Sequence, residues 1–212
     1  MNAAFVHDWL VSWRGGEKVL AALAELYPDA PIYTLFYDPS AMPDALNRRR
    51  IVVHPVANRA RKLRKMLLPL LPRWIESFDL SAYDLIISSS SCVAHGAKKR
   101  VDAKHLCYLH SPMRYIWDQQ QEYLNGVAHV PGAQWAIKKA TPAIRAWDVA
   151  TATSARDDRF VANSSFVAER ARNYYGRPDV AVVPPPIELA RFRPAAGAEK
   201  KGYLLAAGAF VS

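Results

Sequence analysis

Seven short apolar runs, separated by segments with helical spacing, organise this chain of 212 residues. The runs are rich in β-branched and aromatic residues and are bounded by turn residues, which predicts strands. They cover residues 3–8, 31–37, 51–56, 83–91, 105–110, 160–163 and 180–183. Strands that alternate with helices predict an α/β fold in which a doubly wound parallel sheet carries helices on both faces.

The helices between these runs have recognisable ends. Gly15 and Gly16 open a helix after the first run, and Ser164 or Ser165 is expected to cap the helix that Gly176 ends. Residues 134–157 are predicted to be mostly helical, with a break near Pro142.

Composition limits the classes of function. Apolar residues make up 51% and charged residues 22% of the chain, as in a soluble globular protein. The net charge of +9 predicts an anionic partner. Cys92 and Cys107 form no Cys-x-x-Cys pattern, and the histidines lack metal-ligand spacing, so we expect neither a disulfide framework nor a metal. A signal-peptide pattern and an apolar run of membrane-spanning length are both missing, which predicts a cytoplasmic protein.

His110 is predicted at the carboxyl end of the fifth strand. Pro112 suits the first position of a new helix with Ser111 as its cap, so free helix N–H groups should point at His110. Open α/β folds bind anionic ligands at such places. The alternative is a histidine that only hydrogen-bonds a loop. Four polar or aromatic residues follow within two turns and favour a site: Arg114, Tyr115, Trp117 and Asp118.

The first strand leads to a second candidate for the same crevice. His7 and Asp8 end this strand, and in a parallel sheet they face the same edge as His110. The pair Gly15-Gly16 then brings backbone amides close to a phosphate, unless it only allows a tight turn. Four serines, Ser88 to Ser91, end the fourth strand and suit phosphate or sugar oxygens, although a plain turn is the alternative.

A basic segment without any acidic residue lies beside an apolar one. Its predicted membrane contacts are Arg59, Arg61, Lys62, Arg64, Lys65, Leu67, Leu68 and Trp74. Cations beside aliphatic and aromatic side chains are typical of an interfacial membrane contact. A solvated helix face is the alternative. Nucleic acid is not expected, because no known nucleic-acid-binding motif accompanies the charge.

With these elements in place, the chain resembles the amino-terminal half of a family 4 glycosyltransferase of GT-B architecture, in which this domain is Rossmann-like. The matching residues are His7 to Leu10, Gly15 to Val19, Ser88 to Ser91, His110 to Tyr115, Val161 to Arg170, Tyr174 to Gly176, Val183 to Ile187, and Arg191-Phe192. Together, in this order, they cover nearly all of the chain.

The resemblance implies a retaining transferase that moves a sugar from a nucleotide-sugar donor to an acceptor without a metal or another cofactor. It implies that Gly15 and Gly16 approach the donor diphosphate and that His110, the catalytic candidate, lies beside the transferred sugar. The substrate-binding candidates are His7, Asp8, Trp9, Glu17, Ser90, Ser111, Arg114 and Asp118. Glu17 follows Gly16 directly, where many relatives place one residue between, so its role as acceptor contact or first-turn carboxylate stays open. We expect His110 to be neutral, and Asp118 to orient Arg114 toward an acceptor phosphate, unless these two form an ordinary surface ion pair.

The composition along the chain predicts its domain boundaries. Residues 1–186 are expected to form the acceptor-binding domain, 187–202 a linker, and 203–212 the first strand of a nucleotide-sugar-binding domain that the sequence does not continue into. The acceptor is expected to be lipid-linked or a polysaccharide precursor, at the inner face of the plasma membrane, and the enzyme a hexosyltransferase such as a mannosyltransferase. The fragment alone should fold without transferring sugar. A non-catalytic module that binds a polyanion or a partner protein is the alternative.

Overall fold

The computed structural model describes residues 1–153 and 159–189, together with Gly202 and Leu204. Most of the predicted linker, and all of the predicted last strand except Leu204, lie outside the described residues. The strands are β1 (Ala3–Leu10), β2 (Ile32–Tyr37), β3 (Ile51–Val53), β4 (Leu85–Ser90), β5 (Lys104–Leu109), β6 (Arg159–Ala162) and β7 (Ala181–Val182). The helices are α1 (Gly15–Glu25), α2 (Asp44–Asn47), α3 (Pro55–Arg59), α4 (Leu71–Glu76), α5 (Gln120–Gly126), α6 (Ala133–Thr153) and α7 (Ser165–Tyr175).

All seven strands belong to one parallel sheet in the order β3-β2-β1-β4-β5-β6-β7. The chain moves outward from β1 to β3 and then crosses back to β4, on the other side of β1. The neighbouring strands β1 and β4 therefore flank the topological switch point, where open α/β sheets form a crevice at the carboxyl ends of their strands. The predicted α/β, Rossmann-like, doubly wound sheet is confirmed.

Both faces of the sheet are covered because successive side chains of each strand point in opposite directions. In β1, Ala4 and Val6 pack in a core cluster that includes Ile144 of α6. Phe5, between them, packs in a second cluster with Leu20 of α1. Burial of these apolar side chains is the main force that holds the two helical layers on the sheet.

The ends of α7 agree with the sequence prediction. The Ser164 hydroxyl accepts a hydrogen bond from the Val167 N–H, and Gly176 takes a left-handed conformation with φ 65°. The predicted break at Pro142 is wrong, since α6 runs through it. Pro142 lies on the exposed side of α6, where the carbonyl that it leaves unpaired can meet water, while Ile137 and Ile144 hold the buried side in the core.

The segment after β5 also differs from the prediction. No helix begins at Pro112, and α5 starts only at Gln120. The Ser111 hydroxyl donates to the Pro112 carbonyl instead of capping a helix (2.8 Å). Met113 and Ile116 are fully buried and anchor this segment as a series of turns.

Within the parts of the chain that the structure describes, none of the helices has both the length and the apolar character that a bilayer crossing requires.

Candidate active site

A cavity of about 820 Å³ opens at the carboxyl ends of β1, β4 and β5. Of the predicted catalytic, donor-binding and substrate-binding residues, seven line it: His7, Trp9, Gly15, Gly16, Glu17, His110 and Arg114. Four others do not: Asp8, Ser90, Ser111 and Asp118. The structure therefore brings the glycine pair and both candidate histidines to one crevice.

Asp8 supports the crevice from behind. It is only 1% exposed, and its carboxylate accepts hydrogen bonds from the backbone N–H groups of Ser91, Cys92, Val93 and Ala94 at 2.6–3.0 Å. The Ser91 hydroxyl donates a further one at 3.0 Å. Hydrogen bonds from the loop after β4 engage both carboxylate oxygens, so Asp8 holds this loop in place. The predicted contact of Asp8 with the substrate is therefore corrected to a supporting role.

Ser90 and Asp118 are likewise engaged elsewhere. Ser90 is fully buried, and its hydroxyl accepts from the His95 N–H at 3.2 Å. Asp118 forms a bidentate ion pair with Arg170, in which one hydrogen bond measures 2.8 Å. The Arg170 guanidinium lowers the pKa of Asp118. The expected pairing of Asp118 with Arg114 is therefore wrong, which leaves Arg114 to the crevice.

Two imidazoles meet over the first turn of α1. His7 Nδ1 lies 2.9 Å from the Ser89 carbonyl oxygen, and His110 Nε2 lies 2.8 Å from the Ser89 hydroxyl. A methyl group placed on Gly16 would lie 3.7 Å from His110 Nε2 and 3.8 Å from His7 Cε1. Asn163 donates its side-chain N–H to the His110 carbonyl at 3.2 Å, which holds the strand end in place.

Burial keeps His110 neutral. Desolvation, with a smaller contribution from His7, lowers the pKa of His110 to about 4, and Asp8 acts weakly in the opposite direction. The neutral imidazole that the sequence predicts is therefore present. Its cause is different, since the chain near His110 forms turns and not the expected helix end.

The first turn of α1 presents backbone N–H groups to the crevice. The first bond inside this helix runs from the Lys18 N–H to the Arg14 carbonyl at 3.1 Å, so the amides of Gly15 and Gly16 precede it. Glu17 accepts from the Arg14 N–H at 3.0 Å. Of the two roles left open for Glu17, the first-turn carboxylate is the one that the hydrogen bonding supports.

Aromatic side chains form another wall of the crevice. Trp9 and Tyr115 have ring centroids 6.5 Å apart, and Tyr115 and Tyr123 have theirs 4.8 Å apart. Burial raises the pKa of Tyr115 to about 12. Arg64 and Arg114 also line the crevice, and neither forms an ion pair with a carboxylate of the described residues.

The predicted membrane contacts divide into two groups. Arg59, Lys62 and Arg64 are exposed, and Arg61 lies 3.7 Å from the Asp38 carboxylate. Nothing is described of the Lys65 side chain. The predicted apolar contacts are Leu67, Leu68 and Trp74.

Those apolar side chains belong to the core side of this segment. Leu68 is 1% exposed, and Leu67 and Trp74 pack against the main core cluster, with Trp74 tilted against His54 at 5.5 Å. α6 contacts the turn at residues 68–70, so the prediction for Leu68 is corrected. Leu67 and Trp74 are half-buried. The exposed large apolar residues of this segment are Val56, Leu63 and Leu70, which the sequence analysis missed.

Ser89 is the main residue of the site that the sequence analysis missed. It is buried, and only the pairing of β1 with β4, which sets His7 opposite Ser89, shows its contact with both histidines. The available signal was the alternation of the serine run, since Ser89 and Ser90 must point to opposite faces.

The chain was compared with known proteins at the level of sequence and of structure. One solved structure, described as the apo form of the lipopolysaccharide outer core galactosyltransferase WaaB, is 15% identical with a TM-score of 0.46. The alignment covers 88% of this chain and 46% of that one, so the chain spans about half the length of that protein. No curated protein matches the chain. The sequence model of Glycosyltransferase Family 4 matches residues 13–191, which is most of the chain. The chain therefore belongs to glycosyltransferase family 4.

Proposed function

We propose that this chain is the acceptor-side domain of a retaining GT-B glycosyltransferase that moves a hexose from a nucleotide-sugar donor to an acceptor without a metal. The observation that carries the proposal is the convergence of Gly15, Gly16, His7 and His110 on one crevice at the switch point of the sheet. Family membership supplies the reaction class, and the crevice supplies the groups that such a reaction needs.

The reaction needs stabilisation of the departing nucleotide diphosphate, which gains negative charge as the sugar leaves. The amides of Gly15 and Gly16 at the amino end of α1 are directed dipoles that stabilise this charge at little cost in reorganisation. His110 is neutral, so it can hydrogen-bond a hydroxyl of the transferred sugar without repelling the positive charge that develops on that sugar.

The acceptor contacts follow from the aromatic and cationic residues of the same crevice. Trp9 and Tyr115 offer flat apolar surface to a sugar ring or to a lipid chain, and Arg64 and Arg114 offer charge to a phosphate. These groups fit a lipid-linked or polysaccharide-precursor acceptor that carries a phosphate or diphosphate.

Activity is tested with the entire protein that contains these residues, because the chain spans about half of the related transferase structure. The protein is incubated with each of a panel of nucleotide sugars and lipid-linked acceptors, and nucleotide release and glycosylated product are measured. Gly16→Val, which places branched carbon between the two imidazoles, sets the background. Transfer above this background supports the proposal. Anion binding without turnover would contradict it and favour a non-catalytic polyanion-binding module.

Contact with an anionic membrane is the second part of the proposal. Exposed Arg59, Lys62 and Arg64 lie on the segment that also exposes Leu63 and Leu70. Each cation near an anionic bilayer contributes about 1 kcal/mol, so changing all three to Gln should weaken vesicle binding by about a hundredfold.

The matched control removes the same charge elsewhere, by changing the exposed residues Arg48, Lys104 and Arg172 to Gln. Co-sedimentation with phosphatidylglycerol vesicles distinguishes the two. Equal losses in both triple variants would show that net charge alone is responsible and would contradict a docking surface at Arg59 to Arg64.

A further inference from the structure

The backbone of β4 fixes the tautomer of His7. The Ser89 carbonyl oxygen, 2.9 Å from His7 Nδ1, can only accept a hydrogen bond, so Nδ1 carries the proton. A neutral imidazole with a proton on Nδ1 has a lone pair on Nε2. His7 is 4% exposed, yet its ring lines the crevice. The free acceptor of His7 is therefore at the floor of the cavity.

No group among the described residues hydrogen-bonds Nε2 of His7. The ring of His7 faces the space over Gly16, and the ring of His110 borders the same space. A methyl group placed on Gly16 would lie 3.8 Å from His7 Cε1 and 3.7 Å from His110 Nε2. Nε2 of His7 is open to the cavity, so a hydroxyl group of a bound ligand can displace water there and donate to it.

The chemistry of the lone pair decides which part of a substrate fits there. A phosphate oxygen is itself an acceptor and would be repelled by Nε2, whereas a sugar hydroxyl can donate to it. The amides of α1 show the opposite preference, because N–H groups attract phosphate oxygens. The α1 amides therefore favour the diphosphate in the space over Gly16, whereas Nε2 of His7 favours the sugar.

We propose that His7 accepts a hydrogen bond through Nε2 from a hydroxyl of the sugar bound in the crevice, and that Ser89 is the positioning residue that orients both imidazoles. The inference deepens the proposed function and depends on it for the identity of the ligand. Ser89 acts through two groups: its carbonyl orients His7, and its hydroxyl, 2.8 Å from Nε2, orients His110. One residue of β4 therefore sets the geometry of both histidines.

The first test needs no substrate. Nitrogen-15 spectra of the histidine-labelled protein report which ring nitrogen of each imidazole carries the proton, and His7→Asn identifies the His7 signals. We expect His7 to carry its proton on Nδ1 at neutral pH. A proton on Nε2 would overturn the inference, whether or not the protein transfers sugar.

The second test uses two amides that replace different parts of the imidazole. In His7→Asn the side-chain N–H can still donate to the Ser89 carbonyl, but the acceptor at Nε2 is lost. In His7→Gln the longer side chain brings an amide oxygen to the position of Nε2. With the nucleotide sugar that the wild type turns over, we expect His7→Asn to lower kcat/KM by about a hundredfold and His7→Gln to recover most of this loss. Equal rates in His7→Asn and the wild type would overturn the contact, and so would equal losses in the two variants.

Ser88 provides a matched control for Ser89. Its hydroxyl also bonds a histidine, His105 Nε2 at 2.8 Å, and both serines are fully buried in β4. We expect Ser89→Ala to lower kcat by about tenfold, with a changed His110 signal in the same spectra, and Ser88→Ala to leave kcat and that signal unchanged. Equal effects of the two substitutions would reduce Ser89 to a structural role. If the wild type turns over no nucleotide sugar, the proposed function and the hydroxyl contact both fail, while the spectra still decide the tautomer.

Discussion

Two serine–histidine pairs with the same 2.8 Å separation lie side by side on β4, and only one of them faces the crevice. Ser88 bonds His105 and Ser89 bonds His110. Successive residues of a strand point to opposite faces, so the pairs are separated by the sheet itself. His105 is 2% exposed and lies in the interior, whereas His110 lines the cavity. Residue type and hydrogen bonding are the same in both pairs, and the face of the sheet determines which one can meet a substrate.

Removal of each imidazole in turn should have opposite effects on turnover and on stability. If the entire protein catalyses the proposed transfer, we expect His110→Ala to lower its kcat by about a hundredfold, because the sugar loses a neutral hydrogen-bonding group. His105→Ala should leave kcat of the folded protein nearly unchanged. It should lower the free energy of unfolding by about 2–3 kcal/mol instead, since it creates a cavity and leaves the Ser88 hydroxyl unpaired.

Steady-state kinetics and denaturant unfolding on the same preparations distinguish these outcomes. A His105→Ala enzyme that folds normally but loses its turnover would contradict the division between the two faces. Unchanged turnover in His110→Ala with normal donor affinity would remove His110 from the catalytic role.

The second expected effect is a pH dependence of the free energy of unfolding, which arises from His110 in the crevice. Burial lowers the pKa of His110 from 6.5 to about 4, so the folded state binds this proton less readily than the unfolded state. The stabilisation from neutral His110 is complete above pH 6.5 and is lost as the pH falls toward 4. After allowance for partial exposure, the loss amounts to about 2 kcal/mol.

His110→Asn, which does not titrate, provides the control for this dependence. Burial also lowers the pKa of His54, but this contribution is the same in both proteins and cancels in their difference. Urea unfolding of both between pH 4 and 7 should show a steeper loss of stability in the wild type. Parallel curves would mean that His110 titrates normally.

The same contrast explains what the sequence can predict. All seven strands and the Ser164 cap follow from local periodicity and local hydrogen bonding, which neighbouring residues determine. The partners of Asp8 and Asp118 depend on residues far along the chain: the loop after β4 for Asp8, and Arg170, 52 positions away, for Asp118. Arg114 was the expected partner of Asp118 because it is close in the sequence, but the fold places Arg170 against Asp118 instead.

The role of Ser89 was hidden for a related reason. Four serines in a row look equivalent, and only strand pairing sets Ser89 opposite His7 and directs Ser90 toward His95. The glycine pair and His110 were predictable because their chemistry depends on the ends of elements, and these ends are marked in the sequence.

The smallest expected effect concerns Gly15 and Gly16, which line the crevice together with His7 and His110. Both are in the first turn of α1 with negative φ, so alanine is accepted there and raises the free energy of unfolding by about 0.5–1 kcal/mol in each case. A methyl group on Gly16 would contact both imidazoles, at 3.7 and 3.8 Å, whereas one on Gly15 meets nothing within 4 Å.

Gly16→Ala should therefore weaken donor binding by about tenfold, and Gly15→Ala should weaken it less, although the two proteins gain similar stability. Calorimetric titration with the nucleoside diphosphate of the active donor measures the first quantity, and thermal unfolding measures the second. The methyl group that Gly16→Ala adds fills only the space between His7 and His110. A normal affinity in this variant would therefore show that the diphosphate lies outside that space. An equal loss in both variants would place the diphosphate over the whole helix end, with no particular relation to the two imidazoles.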